Sequence, residues 1–261
     1  MAINVNTVYQ TALFILNKEQ RGYLTPSEFN NIASQVQLEI FEQYVEDLNQ
    51  QLRVPTNSSQ YGDRRKNIEE NISIFEKHEP IVYSTTYNCF LLPTDVHRIG
   101  TIMYKEEQEA QRISRKEFLH LNMSKLTKPS TKYPVYIQKE SIGGYDPNNP
   151  QTAIPSRQLV DVYPEIIKED MSLSYIRKPK NVRWGYTVGS QGQYIYDPSP
   201  FDSSVSYNTP SEGSTNFEIS NTDQTSVILK VLVYAGVVIR DPQIVQAAAT
   251  EVQKTEQNQK S

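Results

Sequence analysis

The sequence predicts an α+β chain: N- and C-terminal helices form one bundle, with an antiparallel β domain and a long loop inserted between them. Three observations predict it. Apolar residues recur every three or four positions through the first third of the chain. From Pro80 the period changes to two. Helical character then returns at 227–239, a run of 13 residues broken only by Lys230. Helix sets at the two chain ends are marginal alone and need a common core. The expected divisions are a helical region at 1–79, a β-rich domain at 80–220, and C-terminal helices with a polar docking tail at 221–261.

The first helix is expected over Val5–Lys18, with Val8, Ala12, Leu13 and Leu16 on one stripe. The second has a clear start: Thr25 as N-cap, Pro26 in the first helical position and Glu28 at the capping-box position. Phe29, Ile32, Ala33, Val36, Ile40, Tyr44, Leu48 and Leu52 follow at helical spacing and end before Pro55. A third helix is expected at 61–77. Strands are expected at 81–85, 88–92, 99–104, 133–138, 159–163 and 171–176. A short helix at 114–126 interrupts them, capped by Ser114 with Glu117 at the box position. Residues 145–150 carry turn chemistry throughout. The stretch 185–214 is rich in Gly, Ser, Tyr and Pro and predicts a long loop. Its aromatic residues Tyr186, Tyr194, Tyr196, Phe201 and Tyr207 favour a binding loop over a disordered linker. After Ile239, Asp241-Pro242 marks a fresh helix start, and 243–261 is polar.

Composition limits the chemistry. The 261 residues are 37% hydrophobic, enough for one large core or two modest ones. A net charge of −4 gives no bulk positive field for nucleic acid or an anionic membrane. The single Cys89 excludes an internal disulfide framework and reads as a buried, inert thiol. The N-terminus has no basic and apolar leader pattern, and the longest apolar run is too short to span a membrane. His78, His97 and His120 lack metal-ligand spacing, and neither a nucleophile elbow nor a phosphate-binding glycine loop occurs. Asp161, Glu165, Glu169 and Asp170 have the residue types for paired-carboxylate glycoside hydrolysis, and a solvated hairpin turn explains them equally well. The expectation is therefore no enzyme, no cofactor and no metal. Asn, Gln and 17 tyrosines offer neutral hydrogen bonds and flat aromatic area, as adhesive interfaces do.

Three pieces of the chain resemble virion proteins of phages. Residues 5–30, with Val8-Tyr9, Ala12-Leu13, Asn17-Lys18-Glu19-Gln20-Arg21-Gly22 and Thr25-Pro26, resemble N-termini of proteins from crAss-like and related short-tailed phages. Tyr133-Pro134-Val135-Tyr136, Val162-Tyr163-Pro164, Tyr175-Ile176-Arg177-Lys178-Pro179 and Trp184 resemble a pattern of phage neck and tail proteins. The apolar helix, Arg240-Asp241-Pro242 and polar tail resemble the C-terminal end of such proteins.

The resemblance implies a head-to-tail connector, or neck adaptor: a homo-oligomeric ring of about twelve copies closed by a heterologous contact. Its implied partners are the portal protein, other neck and tail rings, and double-stranded DNA passing through the lumen without sequence readout. The implied location is the virion neck or tail, after assembly in the host cytoplasm. On this reading Ile244, Val245, Ala248 and Val252 form the stripe that docks on the portal. Phe29, Val36, Tyr44 and Leu48 lie on a helix packed against the neighbouring copy, and the loop aromatics contact a neighbour. The alternative is a β-rich tail or surface protein that holds glycan through Tyr side chains and Trp184.

Overall fold

The computed structural model describes residues 2–18, 23–53, 59–146, 149–201 and 213–239, with isolated positions at 246, 249–250 and 253–254. In chain order the elements are β1 (Ala2–Ile3), α1 (Val5–Lys18), α2 (Pro26–Arg53), α3 (Ser59–Ser73), β2 (Glu76–Pro80), β3 (Val82–Ser84), β4 (Cys89–Leu91), β5 (Val96–Tyr104) and β6 (Gln108–Arg112). Then come α4 (Arg115–Asn122), β7 (Val135–Asp146), β8 (Asn149–Tyr163), β9 (Met171–Arg177), β10 (Tyr186–Val188), β11 (Tyr194–Tyr196), β12 (Phe217–Ser220) and α5 (Gln224–Ile239). They fall into two compact units, Met1–Ile74 with Pro179–Ser261, and Phe75–Lys178.

In the first unit, α5 packs on α1 and α2. The stripe read from α2 is the buried one: Phe29, Ile32, Ala33, Val36 and Ile40 all lose their water. They meet Val8, Ala12 and Leu16 of α1 and Val227, Val231 and Ala235 of α5. Removing a side chain the size of Phe29 from water contributes about 2–3 kcal/mol. The capping box forms as expected: the Thr25 N–H donates to the Glu28 carboxylate at 2.9 Å, and the Glu28 N–H to the Thr25 hydroxyl at 3.4 Å. Lys230 is buried in α5 because Glu39 of α2 reaches it at 2.5 Å, and the Tyr234 hydroxyl donates to the same carboxylate at 3.1 Å. The core also takes Ile3 of β1, Phe217 and Ile219 of β12, Val182 and Trp184. β1 and β12 pair antiparallel, so this unit is not a bundle of helices alone.

The second unit is an eight-stranded sheet in the order β2-β9-β5-β6-β7-β8-β4-β3. The two edge strands are neighbours in sequence, with only Ile81 between Pro80 and Val82. A chain cannot span more than about 7 Å over two residues, so the edges of the sheet must curl toward each other. Ile81 continues the ladder by donating its N–H to the Met171 carbonyl at 2.9 Å, and Val82 then pairs with Leu91. The result is a nearly closed barrel filled by Phe90, Leu92, Ile102, Val160, Leu173 and Tyr175. Register shifts in β5 at Val96/Arg98 and Ile99/Thr101 add local twist. Gly100 sits in the second shift, where a Cβ would lie 2.7 Å from the Ser174 carbonyl oxygen. The β6–β7 pair is parallel and the other pairings described in this sheet are antiparallel.

These features correct the expected fold class. The described chain has five α-helices and a large, mixed, nearly closed sheet, not a helical bundle with a small antiparallel insertion. The shortfall has a physical cause. β2 reads Glu-Lys-His-Glu-Pro and β6 reads Gln-Glu-Ala-Gln-Arg, so neither shows the apolar alternation of a half-buried strand. Both are recruited by neighbours, β2 by β9 and β6 by β5 and β7. The third helix accordingly ends at Ser73, not at 77.

Candidate functional site

The candidate site is built around Trp184 in the first unit. Residues 180–184 run extended along α2 and take hydrogen bonds from a row of polar side chains on that helix. Asn30 receives the Trp184 N–H at 2.7 Å and donates to the Trp184 carbonyl at 3.3 Å. Ser34 donates to the Val182 carbonyl at 3.2 Å, and Gln37 to the Lys180 carbonyl at 2.6 Å. The buried Gln37 also receives the Glu218 N–H at 2.8 Å. Positions 30, 34 and 37 share one helix face, and residues 180, 182 and 184 share one side of the extended segment. The helix thus does for this segment what a neighbouring strand would do. Amides that the composition assigns to adhesive surfaces are used here to satisfy buried backbone.

Trp184 is pinned further by its indole N–H, which donates to Asn6 at 3.0 Å. Tyr9 packs on it at 4.5 Å between ring centroids and on Phe29 at 4.7 Å. The Tyr9 hydroxyl donates to the Leu24 carbonyl at 3.0 Å, and burial pushes its pKa above the usual tyrosine range. The hairpin β10–β11 closes over the indole. Tyr186 and Tyr196 are cross-strand partners, and both stack on Trp184, at 5.9 and 5.6 Å. Tyr194 meets Tyr186 edge-on at 5.0 Å. A groove of about 580 Å³ opens beside this cluster, lined by Tyr9, Leu13, Tyr23, Trp184, Gln193 and Tyr194. A second, of about 680 Å³, is lined by Asn30, Asn31, Lys180, Arg183, Tyr186 and Phe201, with the Arg183 guanidinium 5.2 Å from the Phe201 ring.

The residues named from sequence divide as follows. Tyr186, Tyr194 and Tyr196 come together with Trp184 in one cluster, and Phe201 borders the second groove. Tyr207, Ile244, Val245, Ala248 and Val252 lie outside the described residues. Phe29 and Val36 are buried in their own unit's core and present nothing to a neighbour. The Tyr44 hydroxyl donates to Asp223, and burial pushes its pKa above the usual range; Leu48 is half-buried. Sequence reading missed the hairpin itself. Its signal was present: Tyr-Thr-Val and Tyr-Ile-Tyr alternate on either side of Gly189 and Gly192, and Gly192 turns the chain at φ +80°.

In the barrel, Asp161 is ion-paired to Lys139 at 2.8 Å, while Glu165, Glu169 and Asp170 are exposed. A polar cluster unforeseen from sequence joins Tyr175, Asp95, Glu79 and Lys77. The Tyr175 hydroxyl donates to Asp95 at 2.9 Å and to Glu79 at 3.2 Å, and Lys77 reaches Asp95 at 3.1 Å. Burial raises the Tyr175 pKa, reinforced by its bond to Asp95. This cluster ties β2 and β9 to the start of β5. His78 lies 2.9 Å from the Ser174 hydroxyl. Burial also raises the pKa of the Cys89 thiol. Among the described residues no group of three metal-ligating side chains assembles, and no helix is long and apolar enough to cross a membrane. A comparison with protein families finds no match, and a comparison with curated proteins finds no relative.

Proposed function

We propose that this chain is a structural subunit, without catalysis, of a ring in a phage head-to-tail connector. Copies would surround the DNA channel and the tail would dock on the portal. The observation that carries this reading is the fate of α5. Val227, Val231 and Ala235 are fully buried in their own unit, and Lys230 is tied to α2. The apolar helix is therefore needed at home. The sequence beyond it continues with its own stripe, Ile244, Val245, Ala248 and Val252, at the spacing of a helix that docks in a groove. The resemblance of both chain ends to phage virion proteins supports the same assignment.

Truncation after Arg240 tests it. The shortened chain should keep the melting temperature of the full chain, yet no longer co-sediment with the portal ring of its phage. Equal co-sedimentation by both chains would contradict the docking role. The glycan reading is weakened by the aromatic cluster. Trp184 is buried and its faces are covered by Tyr9, Tyr186 and Tyr196, leaving no open indole face for a sugar.

A further inference from the structure

Residues 113–134 connect the parallel strands β6 and β7 and contain α4. A crossover helix normally buries its apolar side against the sheet it bridges. α4 buries no residue. Its inner side touches the barrel through Phe118, whose ring lies 4.0 Å from that of Tyr163. Leu119 and Met123 are a turn apart on the opposite side, 63% and 84% exposed, and Leu126 just beyond is 97% exposed. Lys116, three residues before Leu119, is exposed as well. Over 112–132 only Ile113 is buried. The helix is nonetheless firmly started: the Ser114 N–H donates to Glu117 at 2.7 Å, and the Glu117 N–H to the Ser114 hydroxyl at 3.2 Å.

The charge of this excursion is opposite to that of the chain. Residues 113–134 hold Arg115, Lys116, Lys125, Lys128 and Lys132 against Glu117 alone, a net +4. The whole chain is −4, so the remainder is −8. Exposed carboxylates stand on Glu42 of α2 and Glu70 of α3 in the first unit, and on Glu165, Glu169 and Asp170 before β9 in the second. An apolar centre inside a polar rim is the anatomy of a protein interface. Phosphate contacts would use the cations but give the exposed Leu119, Met123 and Leu126 nothing to pack on.

We infer that the α4 excursion is the surface by which one copy of this chain docks on exposed carboxylates of a second copy. The inference rests on the ring reading above and names the contact that would close the ring. The contact is heterologous, a basic surface on an acidic one, so it does not give a two-fold dimer and closes into a ring when the rotation about the axis permits.

Sedimentation velocity of the full chain tests it, using wild type, Leu119→Ser with Met123→Ser, and Lys125→Glu with Lys128→Glu. The wild type should assemble, and added salt should weaken its assembly. Both double variants should melt as the wild type does yet associate at least about tenfold more weakly, the factor that corresponds to about 1.4 kcal/mol. Wild-type assembly by both variants would overturn this inference and leave the ring reading standing. A wild type that stays monomeric at all concentrations would overturn both. Binding of duplex DNA or phosphatidylserine vesicles that the variants lose while their assembly persists would reassign the surface to nucleic acid or membrane and overturn the inference.

Discussion

α2 and α4 begin in the same way and end in opposite circumstances. Each opens with a hydroxyl cap and a glutamate three residues later, and in each the reciprocal hydrogen bonds form. Beyond the first turn they diverge. α2 buries Phe29, Ala33 and Val36 completely, bonds the backbone of residues 180–184 with its polar flank, and holds Lys230. α4 buries nothing and turns Leu119 and Met123 outward. A cap is a local device and fixes where a helix starts. Which face is covered, and by what, depends on segments more than a hundred residues away in the case of α2, and on another molecule in our account of α4.

The contrast can be broken most sharply at its two extremes. Phe29→Ala should cost about 3–5 kcal/mol in chemical denaturation, because it leaves a cavity in a closed core. Leu119→Ala should change stability by no more than about 0.5 kcal/mol. Similar costs at the two positions would remove the distinction between the helices. The next effect lies in the Lys230–Glu39 pair. Glu39→Ala strands a buried ammonium and should cost about 2–3 kcal/mol, whereas Lys230→Met should be neutral or stabilising. A large loss from Lys230→Met would show that the pair itself, not the relief of a buried charge, holds α5 to α2.

The caps give the smallest and most selective effects. Thr25→Ala should lower global stability by about 1 kcal/mol. Ser114→Ala should leave global stability nearly unchanged and appear instead as faster hydrogen exchange confined to α4, since that helix can open alone. Both glutamates also titrate below the ordinary range. Glu28 is held down chiefly by the Thr25 hydroxyl, and Glu117 chiefly by the Ser114 backbone N–H. A pKa depressed in the folded state contributes stability above the unfolded value of about 4.3, and that contribution fades as pH falls through the depressed value. Carbon-detected titration should therefore show the Glu28 carboxyl rising toward the ordinary range in Thr25→Ala. An unmoved titration would mean that the hydroxyl is not the cause.

The same contrast explains what could be read from the sequence. α1, α2, the start of α4 and the body of α5 were legible because caps and apolar stripes are written locally. The burial of the α2 stripe was legible too, though assigning Phe29 and Val36 to a neighbour was not sound: a periodic stripe says that a face is covered, not which chain covers it. β2 and β6 were hidden because charged segments become strands only when a ladder already awaits them. Closure of the barrel was hidden as well, since it depends on Ile81 joining two edges set by long-range pairing. The Trp184 cluster was half visible. Its aromatics were named, but the row Asn30, Ser34 and Gln37 that positions them reads in sequence as a polar face turned to solvent.

Cryo-electron microscopy of the wild-type chain tests the central claim most directly. Closed rings are expected in which α4 of each copy, through Leu119 and Met123, lies against the next copy. Isolated monomers, two-fold dimers, or rings in which α4 faces open solvent would contradict it.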